Sequence, residues 1–470
     1  MLQIQKLYNL LSLALRKIED LVNDHDFEKM RNIGEEKKNT TVRALKERFP
    51  DMFDRDSLNV SEISEWKLES SLLVKKLENY LDISENKEEL VFLVKYLDSF
   101  LEDTIFDCIP IDRDQYSFYC LNDNFSKCNI CLLPRLKCNW EHQNRDASTS
   151  YSIFYYMRNF YYIKQSDLSP YQIEHFLMPK RFFENALERG ELRIMASPLI
   201  SEKVVEITEP YTRDDVTLIS VNPMEEDMEE KIKRFSMEVL ENASFEDIDL
   251  LVFPEMLGTE EIVEQMSREL DMRSGVCNSD SPCLTMCPSI WRENRNYCKI
   301  LDDMGDMICE QQKHHGVEMK KPAAKEDIES DKKIYILHGY GIGRIAVVIC
   351  KDFLVTKYLR ILAEKLRVNL ILVPSFTARN YHFKILAAKY ADLDCNVIWV
   401  NTCSARWLNE NSEIENPVLL SCQPGKRGVK SEGVNMEDIC GHPCRCMNSD
   451  TRRQACAHIF QLELDREVGL

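Results

Sequence analysis

Glu255 in "VFPEM", Lys313 in "QQKHH" and Cys350 in "VVICKD" are three reactive side chains, each at or near the end of an apolar run. A thiol attacks a carbonyl or nitrile carbon as its thiolate, so it requires a base to take its proton and a cation to stabilise the developing charge. Glu255 would supply the first and Lys313 the second. Taken singly, each residue has an ordinary explanation. A cysteine closing an apolar strand is most often a small buried hydrophobe, a glutamate after proline caps the next helix, and a lysine in a charged segment is solvated. Their combination at strand ends points to chemistry, because loops converge there while the sheet holds them rigid.

The elements that must position these residues lie in the second half of the chain. From about residue 191, short apolar runs alternate with helical patterns. "LRIMASPLI", "VTLISVN" and "IDLLVFPEM" read as strands, with "MEEKIKRFSMEVLENA" a helix between them. "CLTMCPSIW" and "YCKILDDMGDMICEQQK" read as a hairpin region turning at Gly305. After it come the strand "RIAVVIC", the helix "VTKYLRILAEKLR", the strand "NLILVPS", the helix "FKILAAKYADLD" and the strand "NVIWVNTCS". This alternation predicts an α/β sheet domain with helices covering its strands, with polar loops over Asp327–Lys333 and Gly425–Asp438. Residues 1 to about 190 have a helical texture instead. Ile4, Leu7, Leu11, Ala14, Ile18 and Leu21 form one seam at alternating spacings of three and four. "EWKLESSLLVKKLENYL" and "EELVFLVKYLDSFLED" continue the pattern. At "SPYQIEHFL", Ser169, Pro170 and Gln172 suit a helix start, and Gly190 suits a helix stop. The predicted organisation is a mainly helical domain over 1–195 and an α/β domain over 196–470.

The order Glu, Lys, Cys and its flanking sequences resemble the carbon-nitrogen hydrolase (nitrilase) superfamily. "DLLVFPEM" resembles the segment carrying the general base, and "ILDDMGDMICEQQKHH" resembles the hairpin that precedes the catalytic lysine, selecting Lys313 over Lys320, Lys321 or Lys325. "GYGIGRIAVVICKDF" resembles the segment of the nucleophile in a Cys-x-Asp setting, with Cys350 and Asp352. "NLILVPS" and "AAKYADLDCNVIWVNTC" resemble later family strands, and the likeness runs over about residues 212–465 to a last strand at "HIFQLELD". The resemblance implies a four-layer α-β-β-α sandwich and a thioester mechanism on an amide or nitrile, amide being favoured. Glu255 is then the base, Cys350 the nucleophile, and Lys313 with the backbone N–H after Cys350 the oxyanion stabiliser. It also implies a homo-oligomer and no cofactor for catalysis. Where the family has Phe-Pro-Glu after the cysteine this chain reads "LVTK", which implies a different pocket wall. A second family glutamate between lysine and cysteine has two candidates, Glu318 and Glu326.

Two cysteine clusters invite a structural zinc reading. Cys128, Cys131, Cys138 and His142 begin with the Cys-x2-Cys spacing that a tetrahedral knuckle needs, against a competing reading of free thiols in a helical domain. Cys440, His442, Cys444 and Cys446, with Cys456 and His458 beyond them, offer a second set against a loop of reduced cysteines.

The chain has 470 residues, a net charge of -19, 44% hydrophobic and 30% charged residues. Its length predicts two domains, and its acidity argues against a partner read through nucleic-acid phosphates. No run approaches the roughly 18 apolar residues of a membrane span, and the first residues lack the pattern of a secretion signal. A cytoplasmic location is the expectation, which makes the 18 cysteines free thiols, ligands or catalysts rather than a disulfide framework. A cysteine protease using Cys350 with His314 or His315 is the rival enzyme. An interaction or regulatory protein, such as a bacterial defence component with a protein partner on its N-terminal domain, is the alternative outside enzymes.

Overall fold

The computed structural model describes residues 2–50, 67–101, 129–135, 138–140, 153, 156–274, 281–320, 323–408, 418–425, 434–439 and 456–464. It divides into two compact units: 1–137 with 145–170 and 177–179, and 138–144 with 171–176 and 180–470. Residue 195 therefore falls inside the second unit, within the strand Glu191–Leu199.

The first unit is mainly helical, as its periodicity requires. The helix Leu2–Leu21 buries Leu7, Leu11, Ala14 and Ile18 on one seam, and the helices Lys67–Ile83 and Lys87–Phe100 complete the same core. Sequence texture did not reveal a two-stranded antiparallel sheet of β1 (Ile130–Pro134) and β2 (Phe160–Lys164). The entry to β2 is pinned by Asp98, whose buried carboxylate accepts from the backbone N–H groups of Arg158 at 2.7 Å and Phe160 at 3.1 Å. Buried main-chain donors need such partners.

The predicted helix start at Ser169 instead leads to an edge strand, β3 (Gln172–Leu177), most of which belongs to the second unit. Tertiary pairing overrides the local capping pattern. The Gln172 N–H donates to Lys332 O at 2.8 Å, and His175 meets His338 across the sheet at 2.9 Å. β4 (Glu191–Leu199) follows the helix Glu184–Arg189, which stops at Gly190 in the left-handed conformation, φ 77°. Next come β5 (Tyr211–Arg213), β6 (Val216–Ile219), the helix Glu226–Phe245, β7 (Leu250–Val252) and the helix Glu260–Ser274. β8 (Leu284–Met286) and β9 (Ile290–Arg292) lead to the hairpin of β10 (Arg295–Asp302) and β11 (Met307–Gln312). Gly305 turns that hairpin at φ 82°, and a Cβ there would sit 2.1 Å from Ser267 O, so only glycine fits.

The chain continues through β12 (Glu318–Lys320), β13 (Ala323–Glu326), β14 (Lys333–Gly339), β15 (Gly343–Val347), β16 (Leu370–Pro374) and β17 (Asn396–Val400). It closes with β18 (Leu419–Gln423), β19 (Asn435–Ile439) and β20 (Cys456–Glu463). β19 occupies part of the stretch predicted as loop, because its backbone pairs with β18 although its side chains are mostly exposed. The segment predicted as the helix "VTKYLRILAEKLR" is one α-turn, Thr356–Leu359, followed by a π-turn, Arg360–Lys365.

Two mixed seven-stranded sheets carry the unit. One has the order β11-β10-β8-β7-β4-β20 with β9 beside β10, and the other β19-β18-β17-β16-β15-β14-β3. Their central strands β4, β7 and β8, and β15, β16 and β17, are parallel. Such strands are covered on both faces, which explains why "LLV" and "LILVP" are buried along their whole length. Ile232, Phe235, Val239 and Leu240 pack one helix against Met195, Leu251 and Phe253 of the first sheet. A small four-stranded sheet, β12-β13-β6-β5, stands apart from both.

Candidate active site

Parallel strands deliver their C-terminal ends to one edge of a sheet, and that is where the candidate residues stand. Glu255 follows β7, Lys313 follows β11, and Cys350 follows β15. The structure brings the three together in the interior: Glu255 and Lys313 are 0% exposed and Cys350 is 4% exposed. Lys313 Nζ donates to Glu255 Oε1 at 2.8 Å, and both side chains act electrostatically on the buried Cys350 thiol. Cys350 adopts φ 45°, a left-handed conformation that a side chain adopts at a cost of about 1–3 kcal/mol and that clusters at functional sites.

Of the two candidate second glutamates, Glu326 is the one at the site. Its carboxylate takes Lys313 Nζ at 2.9 and 3.0 Å, whereas Glu318 lies in β12 opposite Lys325. Glu326 ends β13, whose parallel pairing to β6 sets it beside Ile219, and the Val317 N–H holds its Oε2 at 2.7 Å. One ammonium thus serves two buried carboxylates.

The electrostatics follow from that ratio. Burial pushes the Glu255 carboxyl above its ordinary range; Lys313 opposes the shift and Glu326 adds to it. Burial works against a charged Lys313, yet Glu255, Glu326 and Cys350 together outweigh it and hold the ammonium well above its ordinary value. The Cys350 thiol is raised by burial and by Glu255, with Lys313 pulling the other way. At rest the sulfur therefore keeps its proton. A transfer of that proton to Glu255 would move the negative charge from oxygen to sulfur without adding net charge to the interior, where an added charge is costly.

Phe376 and Asn296 gave no sequence signal, whereas Asp352 is the acid of the Cys-x-Asp setting. The Phe376 N–H, after β16, donates to Glu255 Oε2 at 2.8 Å. Asn296 Nδ2 donates to Glu255 Oε1 at 2.8 Å. Asp352, two residues past the cysteine, accepts the backbone N–H groups of His314 and His315 at 2.8 Å each and His315 Nδ1 at 2.7 Å. It ties the turn carrying Cys350 to the segment just after Lys313. Among the described residues neither histidine of the protease reading hydrogen-bonds the sulfur: His315 bonds Asp352 and, through Nε2, Tyr171 at 3.3 Å, while His314 pairs with the Tyr358 hydroxyl.

The zinc candidates are only partly within the described residues. Cys128, His142, Cys440, His442, Cys444 and Cys446 lie outside them. Cys131 is buried in β1 of the first unit, and Cys138 belongs to the second, where the Asn139 N–H donates to Gly341 O at 2.8 Å. His458 pairs with Glu437 at 3.2 Å. Among the described residues no three His, Cys, Asp or Glu side chains are grouped to hold a metal ion, and no helix is long and apolar enough to cross a membrane.

No protein-family model matches the sequence, and no curated protein matches it. Solved structures do. The chain is similar to Nit3 of Saccharomyces cerevisiae, a member of branch 10 of the nitrilase superfamily, at 14% identity and TM-score 0.35, covering 53% of this chain and 90% of that one. About half of the chain is similar to nitrilase-superfamily structures. A cysteine-to-alanine mutant of the amidase from Nesterenkonia sp. AN1, in complex with butyramide, is 18% identical at TM-score 0.34, with coverage of 53% and 92%. The glutamine-dependent NAD+ synthetase from Acinetobacter baumannii is 16% identical at TM-score 0.31, over 45% of this chain and 38% of that one. At these TM-scores they are likenesses, and the chemistry below rests on the geometry of the residues themselves.

Proposed function

We propose that this protein is a carbon-nitrogen hydrolase of the nitrilase superfamily that cleaves amides through a thioester on Cys350, with the two large sheets as inner layers of an α-β-β-α sandwich. The observation that carries the reading is the fully buried Glu255–Lys313 ion pair together with a buried Cys350 thiol on which both charges act. A base, a cation and a thiol converge in one desolvated place. A merely structural thiol has no need of an acceptor carboxylate, and a merely structural ion pair has no need of a thiol.

The steps balance. Glu255 takes the thiol proton as sulfur attacks the amide carbon, and the carbonyl π pair moves to oxygen, where Lys313 and a backbone N–H stabilise it. The oxyanion reforms the carbonyl as the carbon-nitrogen bond breaks, and Glu255 returns the proton to the departing ammonia or amine. A water then gives a proton to Glu255 and its oxygen to the thioester carbon; collapse releases the acid and the thiolate, which recovers the proton. Glu326, whose carboxylate also accepts from Lys313 Nζ, keeps the ammonium in place throughout.

The direct test is mass spectrometry of the full-length protein incubated with a panel of small aliphatic and aromatic amides. An acyl mass on the Cys350 peptide is the expected result; a panel that acylates other cysteines and never Cys350 removes the reading. A pH profile adds a second check. Because Glu255 must be ionised to act and its carboxyl is raised, hydrolysis of the acylating amide should rise with pH through a limb above the usual glutamate value of about 4.3. Glu326 contributes to that elevation, so Glu326→Gln should move the limb to lower pH. A limb at the ordinary position in the wild type, or one that moves upward in the variant, contradicts the assignment of Glu255 as base.

A further inference from the structure

Behind the base stands a closed ring of hydrogen bonds. The Met256 N–H, one residue past Glu255, donates to Ser289 Oγ at 2.8 Å. The Ser289 hydroxyl donates to Asn296 Oδ1 at 2.8 Å, and Asn296 Nδ2 donates to Glu255 Oε1 at 2.8 Å. Glu255, Ser289 and Asn296 are all 0% exposed. The direction of the ring is determined by chemistry. A carboxylate only accepts, so Asn296 must turn its NH2 toward Glu255; its carbonyl then faces Ser289, whose hydroxyl has one proton to give and a lone pair for the Met256 N–H. The ring is anchored again where the Ser289 N–H donates to Pro254 O at 3.1 Å, and Met256 is held at φ 63°, a second left-handed residue at this site.

Asn296 also holds the cation. It begins the inner part of β10 opposite the end of β11, where Tyr297 pairs with Gln312, and its carbonyl accepts the Lys313 N–H at 2.7 Å. One residue thus fixes the base through its side chain and the lysine through its backbone. Oε1 of Glu255, occupied by Lys313 and Asn296, is saturated; Oε2 takes the Phe376 N–H and is the oxygen with a lone pair to spare.

We infer that Asn296, oriented by Ser289, is a positioning residue that locks the Glu255 carboxylate so that Oε2 is the oxygen offered to the Cys350 thiol. The inference rests on the reading of Glu255 as the base. An unlocked carboxylate could rotate and spend its free lone pair away from the sulfur, and misplacement by about 1 Å costs on the order of 10²-fold in rate.

The test uses iodoacetamide as probe on the full-length protein, following the alkylation rate of Cys350 by mass spectrometry across pH, so that no substrate need be known. Asn296→Ala should slow alkylation on the order of 10²-fold and move its acid limb to higher pH, because a hydrogen bond to the charged form of Glu255 is lost. Ser289→Ala should shift the limb in the same direction by less, and Ser289→Thr, which keeps the hydroxyl, should restore the wild-type profile. A thermal melt accompanies each variant; if Asn296→Ala does not fold, Ser289→Ala decides. Wild-type limbs in both alanine variants overturn the positioning role. Glu255→Gln run in parallel separates the two ideas. If it abolishes the limb while the Asn296 and Ser289 variants leave it unmoved, only the positioning inference fails. If Glu255→Gln leaves the limb in place, Glu255 is not the base and both fail.

Discussion

Replacing Cys350 by alanine should lower amide turnover on the order of 10⁶-fold, the size of loss seen when a covalent nucleophile is removed from a coupled site. The fold should be unaffected. The thiol is buried beside Glu255 and Lys313 at the end of β15, and alanine keeps its Cβ while removing one sulfur atom from a pocket already lined by polar groups. The left-handed backbone at this position, φ 45°, accepts alanine no less readily than cysteine. The pair of measurements that matters is steady-state hydrolysis of whichever amide acylates the wild type and a denaturant titration of both proteins. Turnover in the variant within about tenfold of wild type would mean that no thioester lies on the path. A collapse of stability together with activity would mean that the cysteine is a packing residue.

Lys313→Ala should be the most destabilising single change at the site. Lys313 is the ammonium partner of both Glu255 and Glu326, and removing one member of a buried charge cluster typically costs about 3–5 kcal/mol because the remaining charge is left unpaired. The sign of its pH dependence can be worked out. Without the ammonium, the folded-state carboxyl value of Glu255, already raised by burial and by Glu326, lies further above its unfolded value. The deficit is therefore smallest below about pH 4, where both states are protonated, and grows as the pH rises. Glu326→Gln on top of Lys313→Ala should recover part of the stability by removing one of the two orphaned charges. It should recover none of the activity, because the oxyanion still lacks its cation. Denaturant unfolding of the wild type and the two variants at pH 5 and pH 8 measures this; a Lys313→Ala deficit that is the same at both pH values, or smaller at pH 8, would show that the lysine does not neutralise these carboxylates.

Most of the α/β unit was legible in the sequence because its strands are parallel and buried on both faces, which leaves uninterrupted apolar runs such as "LLV" and "LILVP" bounded by reactive or turn residues. Glu255 and Cys350 were candidates for the same reason, each closing such a run, whereas Lys313 follows Glu310, Gln311 and Gln312 and was selected by its resemblance to the family's hairpin. The N-terminal seam of Leu7, Leu11, Ala14 and Ile18 was likewise a local, periodic signal. Where local signals misled, a distant partner had won. Ser169 and Gln172 carry helix-start chemistry, yet the segment after them is an edge strand because the backbone near β14 offers it hydrogen bonds that no local residue can. The "VTKYLRILAEKLR" pattern has helical period but opens into a π-turn, whose backbone bonding the side-chain period does not specify.

What the amino-acid sequence determined by itself is the inventory: three reactive groups of the right types, each placed by a strand end. What only the tertiary structure decided is which further groups complete them. Glu326 rather than Glu318 reaches Lys313 because β13 pairs in parallel with β6, far upstream in the chain. Asn296, Ser289 and Phe376 surround Glu255 because separate strands end beside it. The physical reason is that a buried charge must be satisfied by whatever the packing brings within about 3 Å of it, and that neighbourhood is set by sheet order and register, which no residue's own position in the chain records.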